Sequence, residues 1–315
     1  MQWKDKKVIV TGGAGVIGKE LIEKLVERGA MVRCFDIAPR PIIFSEKIEY
    51  IQRDLSELNP IEFTNFNPEI IFHLAATFER TREDINFWQL NYLNNILLSH
   101  KVIDAAKECK NLEKFIFASS YLVYDPALYL FEKPLNRSVK LKEKDKVNSR
   151  NLCGAAKYYT EKELEYLANF KEEYPFTSVS VRIFRVYGRG SKDIISRWTR
   201  AGLRGEQIEV FLKENSFDYI FAEDVAEGLL RLAENDKTQG IVNLGSGTSR
   251  KINEVVKIIK KQTPSLKIKE ITEKDFFEAS CADILRLREL TNWVPKITLE
   301  QGIKKIIDYE IKQKS

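Results

Sequence analysis

The sequence predicts an α/β protein in which a doubly wound parallel sheet carries a smaller C-terminal α/β domain. Three observations support this fold class. Short apolar segments alternate with helix-periodic segments over residues 1–180, and a glycine-rich turn joins the first strand to the first helix. The chain also has 315 residues, which is more than most single hydrophobic cores use.

The strands of this sheet are predicted from short segments that are rich in β-branched and aromatic residues. They are Val8–Val10, Met31–Asp36, Ile70–Leu74, Phe115–Ala118 and Ser178–Ile183. Segments with apolar residues at helical spacing lie between them, at Val16–Gly29, Leu90–Cys109 and Gly154–Phe170. Strands separated by helices of this length imply right-handed βαβ units and a parallel sheet.

The pattern loosens after residue 188. Helices are predicted over Ile194–Leu203, Asp224–Glu234 and Lys251–Lys261, and strands over Ile241–Leu244 and Leu266–Ile271. We expect residues 1–180 to form the first domain and residues 181–315 the smaller substrate-binding domain. The chain is expected to re-enter the first domain near residues 219–232. The segment Tyr124–Asn151 has no clear periodicity, and long irregular segments tend to be functional or mobile.

Composition excludes several function classes. The 51 basic and 46 acidic residues nearly cancel, and no basic block carries interleaved aromatics, so nucleic acid is not an expected partner. No segment reaches the roughly 18 apolar residues of a membrane span, and the N-terminus lacks a signal-peptide core. Four scattered cysteines fit a reducing compartment, and two histidines make a metal site unlikely on composition alone. We therefore expect a cytoplasmic protein without a metal.

Residues 11–18 (TGGAGVIG) follow the first predicted strand and open the first helix. Gly12 permits a tight turn, Gly15 lets the backbone approach a pyrophosphate, and Gly18 lets helix and strand pack closely. The phosphates then face the amide groups at the positive end of the helix. Because the glycines lie in the strand–turn–helix context that the motif requires, they predict a Rossmann dinucleotide-binding site.

Asp36 ends the second predicted strand, eighteen residues after Gly18. A carboxylate at this position accepts hydrogen bonds from ribose hydroxyls and repels a 2′-phosphate, so the sequence favours NAD over NADP. Arg33 and Arg40 are near enough in the sequence to leave NADP open as an alternative.

In this order the motifs resemble those of the extended short-chain dehydrogenase/reductases, the NAD-dependent epimerases and dehydratases of nucleotide sugars. The resemblance covers nearly the whole chain. Besides the glycine turn it rests on Asn91 and six blocks: Asp54-Leu55, His73–Ala76 (HLAA), Ala118–Tyr124 (ASSYLVY), Val181–Gly188 (VRIFRVYG), Asp218–Asp224 (DYIFAED) and Leu290–Pro295 (LTNWVP).

The resemblance implies which residues contact ligands. The cofactor set is Gly12, Gly15, Val16, Ile17, Gly18, Asp36, Asp54, Leu55, Leu74, Ala75, Ala76, Asn91 and Lys157. The substrate set is Thr77, Tyr121, Arg185 and Arg189. The implied substrate is a nucleotide-diphosphate sugar, and the implied assembly is a homodimer formed through the helices at Leu90–Cys109 and Gly154–Phe170.

The family's catalytic residues are a Ser or Thr, a Tyr and a Lys, the last two in the spacing Tyr-x-x-x-Lys. The Tyr phenolate transfers the hydroxyl proton during hydride transfer, and the Lys ammonium lowers the pKa of the Tyr. Here Ser120, Gly154, Lys157 and Glu161 match the pattern, but the tyrosine position is Cys153. The resemblance therefore implies catalysis by Ser120 and Lys157, with proton transfer altered at Cys153.

Alternatives to a missing tyrosine stay open. Tyr158–Lys162 and Tyr129–Lys133 have the same spacing, although the first pair shifts the helix start and the second lies in the irregular segment. A Cys153 thiolate is another base, since an adjacent Lys lowers a thiol pKa. Its sulfur, however, lies only about 3 Å from Cα, against about 6.5 Å for a Tyr oxygen. The remaining alternative is a buried cysteine that fills space.

The substrate side also departs from the family pattern. Arg185 replaces the Asn of the Arg-x-x-Asn-x-Tyr-Gly block, and Phe217 replaces the Arg before Asp-Tyr-Ile. Thr272–Asp275 (TEKD) stands where a later Arg is usual. Two usual pyrophosphate partners are thus replaced. Candidates for the replacement charge are Arg185, Arg189, Lys192 and Arg197.

Three functions fit these residues. The first, which we expect, is NAD-dependent oxidation of a ring hydroxyl in a nucleotide sugar by an epimerase, dehydratase or dehydrogenase. The second is a catalytically silent NAD-binding sensor or scaffold, which the loss of the tyrosine favours and the retention of Ser120 and Lys157 opposes. The third is a reductase of a non-nucleotide, anionic substrate that Arg185 recruits.

Overall fold

The computed structural model describes residues 2–78, 83, 85–272 and 275–313. The strands are β1 (Lys7–Thr11), β2 (Met31–Asp36), β3 (Glu49–Gln52), β4 (Ile70–His73), β5 (Lys114–Ser120), β6 (Leu130–Phe131), β7 (Val139–Leu141), β8 (Thr177–Ile183), β9 (Arg185–Tyr187), β10 (Gln207–Phe211), β11 (Ser216–Phe221), β12 (Gly240–Leu244), β13 (Ser249–Lys251), β14 (Lys267–Ile271), β15 (Phe277–Glu278) and β16 (Ser280–Ala282).

The α-helices are α1 (Val16–Glu27), α2 (Ile61–Thr64), α3 (Ile85–Asn91), α4 (Leu98–Lys107), α5 (Leu152–Leu167), α6 (Ile194–Arg204), α7 (Ala222–Glu234), α8 (Ile252–Gln262), α9 (Leu285–Thr291) and α10 (Leu299–Lys312). Short 3₁₀ turns lie at Leu55–Glu57, Tyr121–Val123 and Pro126–Leu128, and a π-helical segment at Tyr92–Leu97 joins α3 to α4.

The central sheet confirms the predicted fold class. Within the described residues it contains seven strands in the order β12-β8-β5-β4-β1-β2-β3, and every pairing is parallel. Strand order reverses beside β1, with β2 and β3 on one side and β4 on the other. In open α/β sheets, ligands bind outside the carboxyl ends of the strands at such a reversal.

Two layers of helices cover the sheet because its strands are apolar on both faces. Val8 and Val10 of β1 pack in one core cluster with α1, α7 and α9, whereas Ile9 packs in another with α4 and α5. Helix α7 and strand β12 come from residues 222–244, so the chain returns to the central sheet after leaving it. The division into domains at residue 180 stays a prediction.

The C-terminal part has its own apolar cluster between β9–β11 and helices α6, α8 and α10. Strand β11 pairs in parallel with β9 and antiparallel with β13, and β10 pairs with β14. The short pairs β6–β15 and β7–β16 bring residues 277–282 to residues 130–141, in the segment without sequence periodicity. These pairs connect the two parts of the molecule next to the carboxyl edge of the sheet.

No α-helix within the described ranges has the length and apolar character that a bilayer span requires. The same ranges contain no group of three or more His, Cys, Asp or Glu side chains placed to hold a metal ion. Cys34, Cys109, Cys153 and Cys281 are free thiols, and all four are buried.

Candidate active site

The glycine turn between β1 and α1 leaves no room for side chains. A Cβ on Gly12, which has a φ of +73°, would lie 2.6 Å from the amide nitrogen of Ala75, and one on Gly18 would lie 2.5 Å from the carbonyl oxygen of Gly12. Gly15 is the N-cap of α1 and supplies no capping side chain. The amide groups of the first helical turn therefore remain available to a phosphate, at the end where the helix dipole favours an anion.

A cavity of about 390 Å³ opens in front of this turn. The predicted ligand-contact residues that line it are Gly12, Gly15, Asp36, Asp54, Leu55, Leu74, Ala75, Ala76 and Thr77. Six further lining residues were not among those predicted: Ala14, Ile37, Ala38, Arg53, Asn94 and Leu98. Val16, Ile17 and Gly18 form the first turn of α1 instead of lining the cavity.

The Asp36 carboxylate holds the glycine turn at the end of β2. Its Oδ2 atom accepts from the amide of Ala14 at 2.8 Å, and Oδ1 accepts from the amide of Ala38 at 2.9 Å. A carboxylate has about four acceptor sites, so both oxygens keep capacity for the hydroxyls of a ribose. The residues present fit the adenosine half of NAD.

The two arginines that left NADP open bind protein groups. Arg33 Nε donates to the Glu49 carboxylate at 2.9 Å. Arg40 donates to the carbonyl oxygens of Ile48 at 3.0 Å and Ser45 at 2.7 Å. Because both guanidinium groups are engaged, the structure adds support to the preference for NAD.

Asn95, in the π-helical segment, is hydrogen-bonded to Thr77 in the loop that follows β4. Its side chain accepts from the Thr77 amide at 2.8 Å and donates to the Thr77 carbonyl oxygen at 3.1 Å. Asn91 is buried and accepts from Asn95 Nδ2 at 2.7 Å. The helix predicted over Leu90–Cys109 is π-helical over Tyr92–Leu97. Asn91 thus lies behind Asn95 and is not among the residues that line the cavity.

Helix α5 carries two of the predicted catalytic residues, Cys153 and Lys157, and its first turn is fixed on two sides. Oδ1 of Asn151 accepts from the amide of Gly154 at 2.9 Å. The Glu83 carboxylate accepts from the amides of the first two helical residues at 2.7 and 3.2 Å. Glu83 satisfies amide groups that have no partner inside the helix. The sequence gives no signal for this contact, since Glu83 lies in none of the motifs.

Cys153 is buried, and its Sγ atom lies 4.0 Å from the carbonyl oxygen of Thr77. Burial raises the pKa of the thiol, the Lys157 ammonium lowers it and the Glu83 carboxylate raises it, with a net upward shift. The thiol is therefore protonated near neutral pH, which opposes a thiolate base. Because Thr77 lines the cavity, the same contact joins the cavity to helix α5.

Lys157 and Ser120 retain free donors at this end of the sheet. The Lys157 side chain is buried, its ammonium lies 4.7 Å from the centroid of the Phe117 ring, and it makes no side-chain hydrogen bond to a residue that the structure describes. Burial lowers the pKa of Lys157 to about 8. Ser120 Oγ accepts from the amide of Leu122 at 3.2 Å, so its hydroxyl proton is free to donate.

A buried ion pair ties α5 to β5 and β8. Arg182 donates through Nε and Nη2 to the Glu161 carboxylate at 3.0 and 2.8 Å, and Ser119 Oγ donates to the same carboxylate at 2.5 Å. Glu161 follows Lys157 by one helical turn. The pair therefore fixes the position of Lys157 relative to the strand that carries Ser120.

The other Tyr–Lys pairs lie outside this arrangement. Lys162 Nζ donates to Glu165 at 2.7 Å on the exposed side of α5, next to Tyr158. Tyr129 is completely buried, whereas Lys133 is exposed. Neither pair contributes to the lining of the cavity.

On the substrate side, two arginines share the carboxylate of Glu278. Arg185 Nη2 donates to Oε2 at 3.1 Å, and Arg150 Nη1 donates to the same oxygen. Tyr121 donates its hydroxyl to Oε1 at 3.1 Å. Sequence reasoning selected Arg185 and Tyr121 but missed Arg150 and Glu278, because only the tertiary fold brings them together.

Arg189 lies apart from that cluster. Its Nε and Nη2 atoms donate to the Glu20 carboxylate on α1 at 2.9 and 2.5 Å. Arg189 thus connects the loop after β9 to the helix of the glycine turn, and its contact with substrate stays a prediction. Glu273 and Lys274, in the segment that stands where a family Arg is usual, lie outside the described residues.

Comparison with known proteins identifies the family. Residues 8–245 match the NAD dependent epimerase/dehydratase family. The UDP-N-acetyl-alpha-D-glucosaminuronate decarboxylase of Bacillus cytotoxicus is 27% identical over 96% of this chain and 97% of its own. The dTDP-4-dehydro-6-deoxyglucose reductase of Escherichia coli is 26% identical over 98% of both chains. The structure of MoeE5 in complex with UDP-glucose and NAD has 25% identity and a TM-score of 0.82, covering 98% of this chain and 100% of MoeE5.

The family match extends from β1 to the residue after β12, and so includes the whole central sheet and the glycine turn. The NAD dependence of the family confirms the predicted cofactor, and the match confirms the predicted class of enzyme. The chain belongs to the NAD-dependent epimerase/dehydratase family.

Proposed function

We propose that this protein oxidises a ring hydroxyl of a nucleotide sugar to a ketone, as the first step of an epimerase, dehydratase or dehydrogenase reaction. The observation that carries the proposal is the contact between Thr77 and Cys153, which joins the cavity for the dinucleotide to the helix that holds Lys157. The relatives described above act on, or bind, nucleotide sugars by their names.

The residues divide the work between positioning and proton transfer. The Ser120 hydroxyl donates to the substrate oxygen, and the Lys157 ammonium holds the nicotinamide ribose. The chemistry that bound NAD supplies is reversible acceptance of a hydride from the sugar carbon. Cys153 is too short to replace a tyrosine, so a water molecule, directly or through a neighbouring substrate hydroxyl, passes the proton of the reacting hydroxyl to solvent.

Turnover of nucleotide sugars tests this proposal. The purified protein is incubated with NAD and either UDP-glucose or UDP-glucuronic acid, and products are followed by NMR in deuterated water together with the absorbance of reduced nicotinamide. We expect a new sugar product or a keto intermediate, which Ser120→Ala slows and Lys157→Met abolishes. A demonstrated turnover that Lys157→Met leaves unchanged would place the reaction elsewhere.

A catalytically silent NAD-binding protein is the second candidate, and the buried, protonated Cys153 is the observation that favours it. The two functions differ in what Cys153→Tyr does. A silent binder stays silent or gains activity only with the restored tyrosine, whereas the enzyme proposed here turns over without it. Parallel assays of the unaltered protein and Cys153→Tyr on the same sugars therefore separate them.

We also propose that the protein forms a homodimer through the layer of helices from α3 to α5. Large apolar side chains are exposed on this layer and just after it, and a cluster of this kind is typical of an interface. They are Ile85, Trp88, Leu90, Tyr92, Tyr159, Tyr166 and Phe170. Sedimentation equilibrium tests the proposal. Tyr166→Glu is expected to give monomers, and Phe211→Glu, at an exposed residue of β10, serves as the control. A monomeric unaltered protein at micromolar concentration contradicts it.

We also propose that the protein is located in the cytoplasm. It is supported by the four free thiols, which are typical of a reducing compartment. Fractionation of the source cells tests it, and recovery of the protein outside the cytoplasmic fraction contradicts it.

A further inference from the structure

Two departures from the family pattern meet in one contact. The guanidinium of Arg185 lies 3.8 Å from the centroid of the ring of Phe217, which is two residues before Tyr219, the β11 partner of Arg185 in the parallel pairing with β9. A cation held over an aromatic face at this distance is attracted by the ring quadrupole. The family pattern has an uncharged Asn at 185 and a cation at 217. In this chain the positive charge is supplied from 185, and the aromatic ring at 217 supports it.

Not all hydrogen-bond donors of the Arg185 guanidinium have a partner in the described part of the chain. Its Nη2 atom binds Glu278, but its Nε atom is buried without a hydrogen-bond partner in the described part of the chain. Its side chain is nevertheless 36% exposed, and that of Arg150 is 33% exposed. Both side chains are therefore partly exposed while their guanidinium groups remain anchored at Glu278.

The charges around Glu278 do not cancel. Its carboxylate accepts from Arg150, Arg185, Tyr121 and Ser280, which occupies its acceptor sites. Burial raises the pKa of Glu278, but the two arginines outweigh burial and keep the pKa below its usual value. Two guanidinium groups with one carboxylate leave one net positive charge. A net charge beside partly exposed donors favours an anionic ligand.

The cluster lies close in the sequence to Ser120 and to the start of the helix that carries Lys157. Tyr121 follows Ser120 at the end of β5, and Arg150 precedes Asn151, the N-cap of α5. An anion bound by these arginines is therefore part of the molecule that reacts at Ser120.

We propose that Arg150 and Arg185, held side by side by Glu278, form the site for an oxyanion of the substrate. This inference rests on the proposed function and names the residues that select its substrate. The oxyanion is either the diphosphate or a carboxylate on the sugar, since a guanidinium binds both in the same bidentate geometry. Arg150 and Glu278 are thereby specificity-determining residues that the sequence motifs do not contain.

Calorimetric titration of the NAD-loaded protein tests the site with uridine, UDP, UDP-glucose and UDP-glucuronic acid. Arg185→Met and Arg150→Met are each expected to weaken binding about 10- to 100-fold, the loss typical of one charged hydrogen-bonding group, with no change for uridine. A diphosphate site affects all three UDP ligands equally, whereas a carboxylate site affects UDP-glucuronic acid alone. The control is Arg200→Met, which removes an arginine paired with Glu310 at 3.0 Å.

The site is overturned if both arginine variants change the affinity for every ligand by less than about two-fold. It is also overturned if Arg200→Met loses as much affinity as they do. Where Arg185→Met does not fold because Glu278 loses a partner, the double variant with Glu278→Gln keeps one net positive charge and removes the guanidinium pair. It is expected to show the same loss, and unchanged binding overturns the site. An unaltered protein that binds NAD but none of the UDP ligands overturns the proposed function itself, an outcome distinct from unaffected variants.

Discussion

Gly154 packs directly on the backbone of Leu122, and a Cβ at residue 154 would stand 2.5 Å from the Leu122 carbonyl oxygen. The contact joins the first turn of α5 to the 3₁₀ turn that follows Ser120. Its closeness explains why a glycine follows the position where the family has its tyrosine. The distance between Lys157 and Ser120 therefore depends on the absence of a side chain.

Gly154→Ala is expected to destabilise the protein by about 1–3 kcal/mol, although alanine is the better helix former. The added methyl group pushes α5 from the Leu122 backbone, so NAD affinity and turnover fall as well. Denaturant unfolding measures the change, with Ala155→Ser on the exposed side of the same turn as the control. A more stable Gly154→Ala protein would show that the helix moves without cost.

NAD is expected to bind much more tightly than NADP, because the Asp36 carboxylate repels a 2′-phosphate and accepts from ribose hydroxyls. Asp36→Ala should weaken the binding of NAD and reduce the difference in affinity between NAD and NADP. Calorimetric titration with both cofactors measures this. Equal affinities in the unaltered protein contradict the assignment of Asp36.

Cys153→Ala is expected to retain much of the activity, because the thiol is protonated and too short to reach a normally placed sugar hydroxyl. Loss of an acid–base group lowers turnover by roughly 10²–10⁴-fold. A fall of that size in Cys153→Ala would identify the thiol as the base. Cys153→Tyr restores the family pattern and is expected to preserve or raise oxidation of a nucleotide sugar.

The pKa of Lys157 predicts how stability without NAD depends on pH. Burial lowers this pKa from 10.5 to about 8, so the unfolded chain binds the proton more tightly. The unfolding free energy therefore rises with pH between about 8 and 10.5, relative to Lys157→Met. The difference between the two proteins should change by about 3 kcal/mol over that window, at 1.4 kcal/mol per pKa unit. The unfolding free energies of the two proteins are measured by denaturant titration across this pH range. A difference between them that does not change with pH would contradict the prediction.

His73 predicts an acid-sensitive fold. It is completely buried between Thr11 Oγ1 at 2.7 Å and Ser99 Oγ at 3.0 Å, and burial together with the Lys157 charge lowers its pKa from 6.5 to about 3. The unfolded chain takes up the proton first as the pH falls below 6.5. Stability is therefore lost from pH 6.5 downward, by about 1.4 kcal/mol per pH unit relative to His73→Gln. Equal acid profiles for both proteins would contradict this prediction.

The parts predicted from sequence are those that short-range patterns encode. The glycine turn and the apolar strands β1, β2, β4, β5 and β8 depend on local geometry and on burial of both sheet faces. Strand β3 (EYIQ) escaped prediction because it is short and only half-buried at the sheet edge. The sequence also gives no warning of the π-helical turn that places Asn95, instead of Asn91, on Thr77.

The site was predictable only where a motif preserves spacing. Ser120 and Lys157 follow from such motifs, whereas Glu83, Arg150 and Glu278 act through contacts between distant parts of the chain. Arg189 was selected because it lies beside a motif; its guanidinium binds Glu20, and its contact with substrate stays a prediction. Packing of the elements decides which of their side chains pair, and these pairs cannot be predicted from the pattern of a single sequence.

The position of β12 at the edge of the central sheet has a consequence for synthesis and for engineering. A ribosome must release the chain through Leu244 before β8 acquires its outer neighbour, and through Glu234 before α7 covers the apolar face of α1. Until then the nascent chain presents an open strand edge, the kind of surface through which chains associate wrongly. Since α7 and β12 belong to the central sheet, the C-terminal part of the molecule is formed from residues before α7 and residues after β12, and its exchange between relatives requires two segments instead of one C-terminal tail.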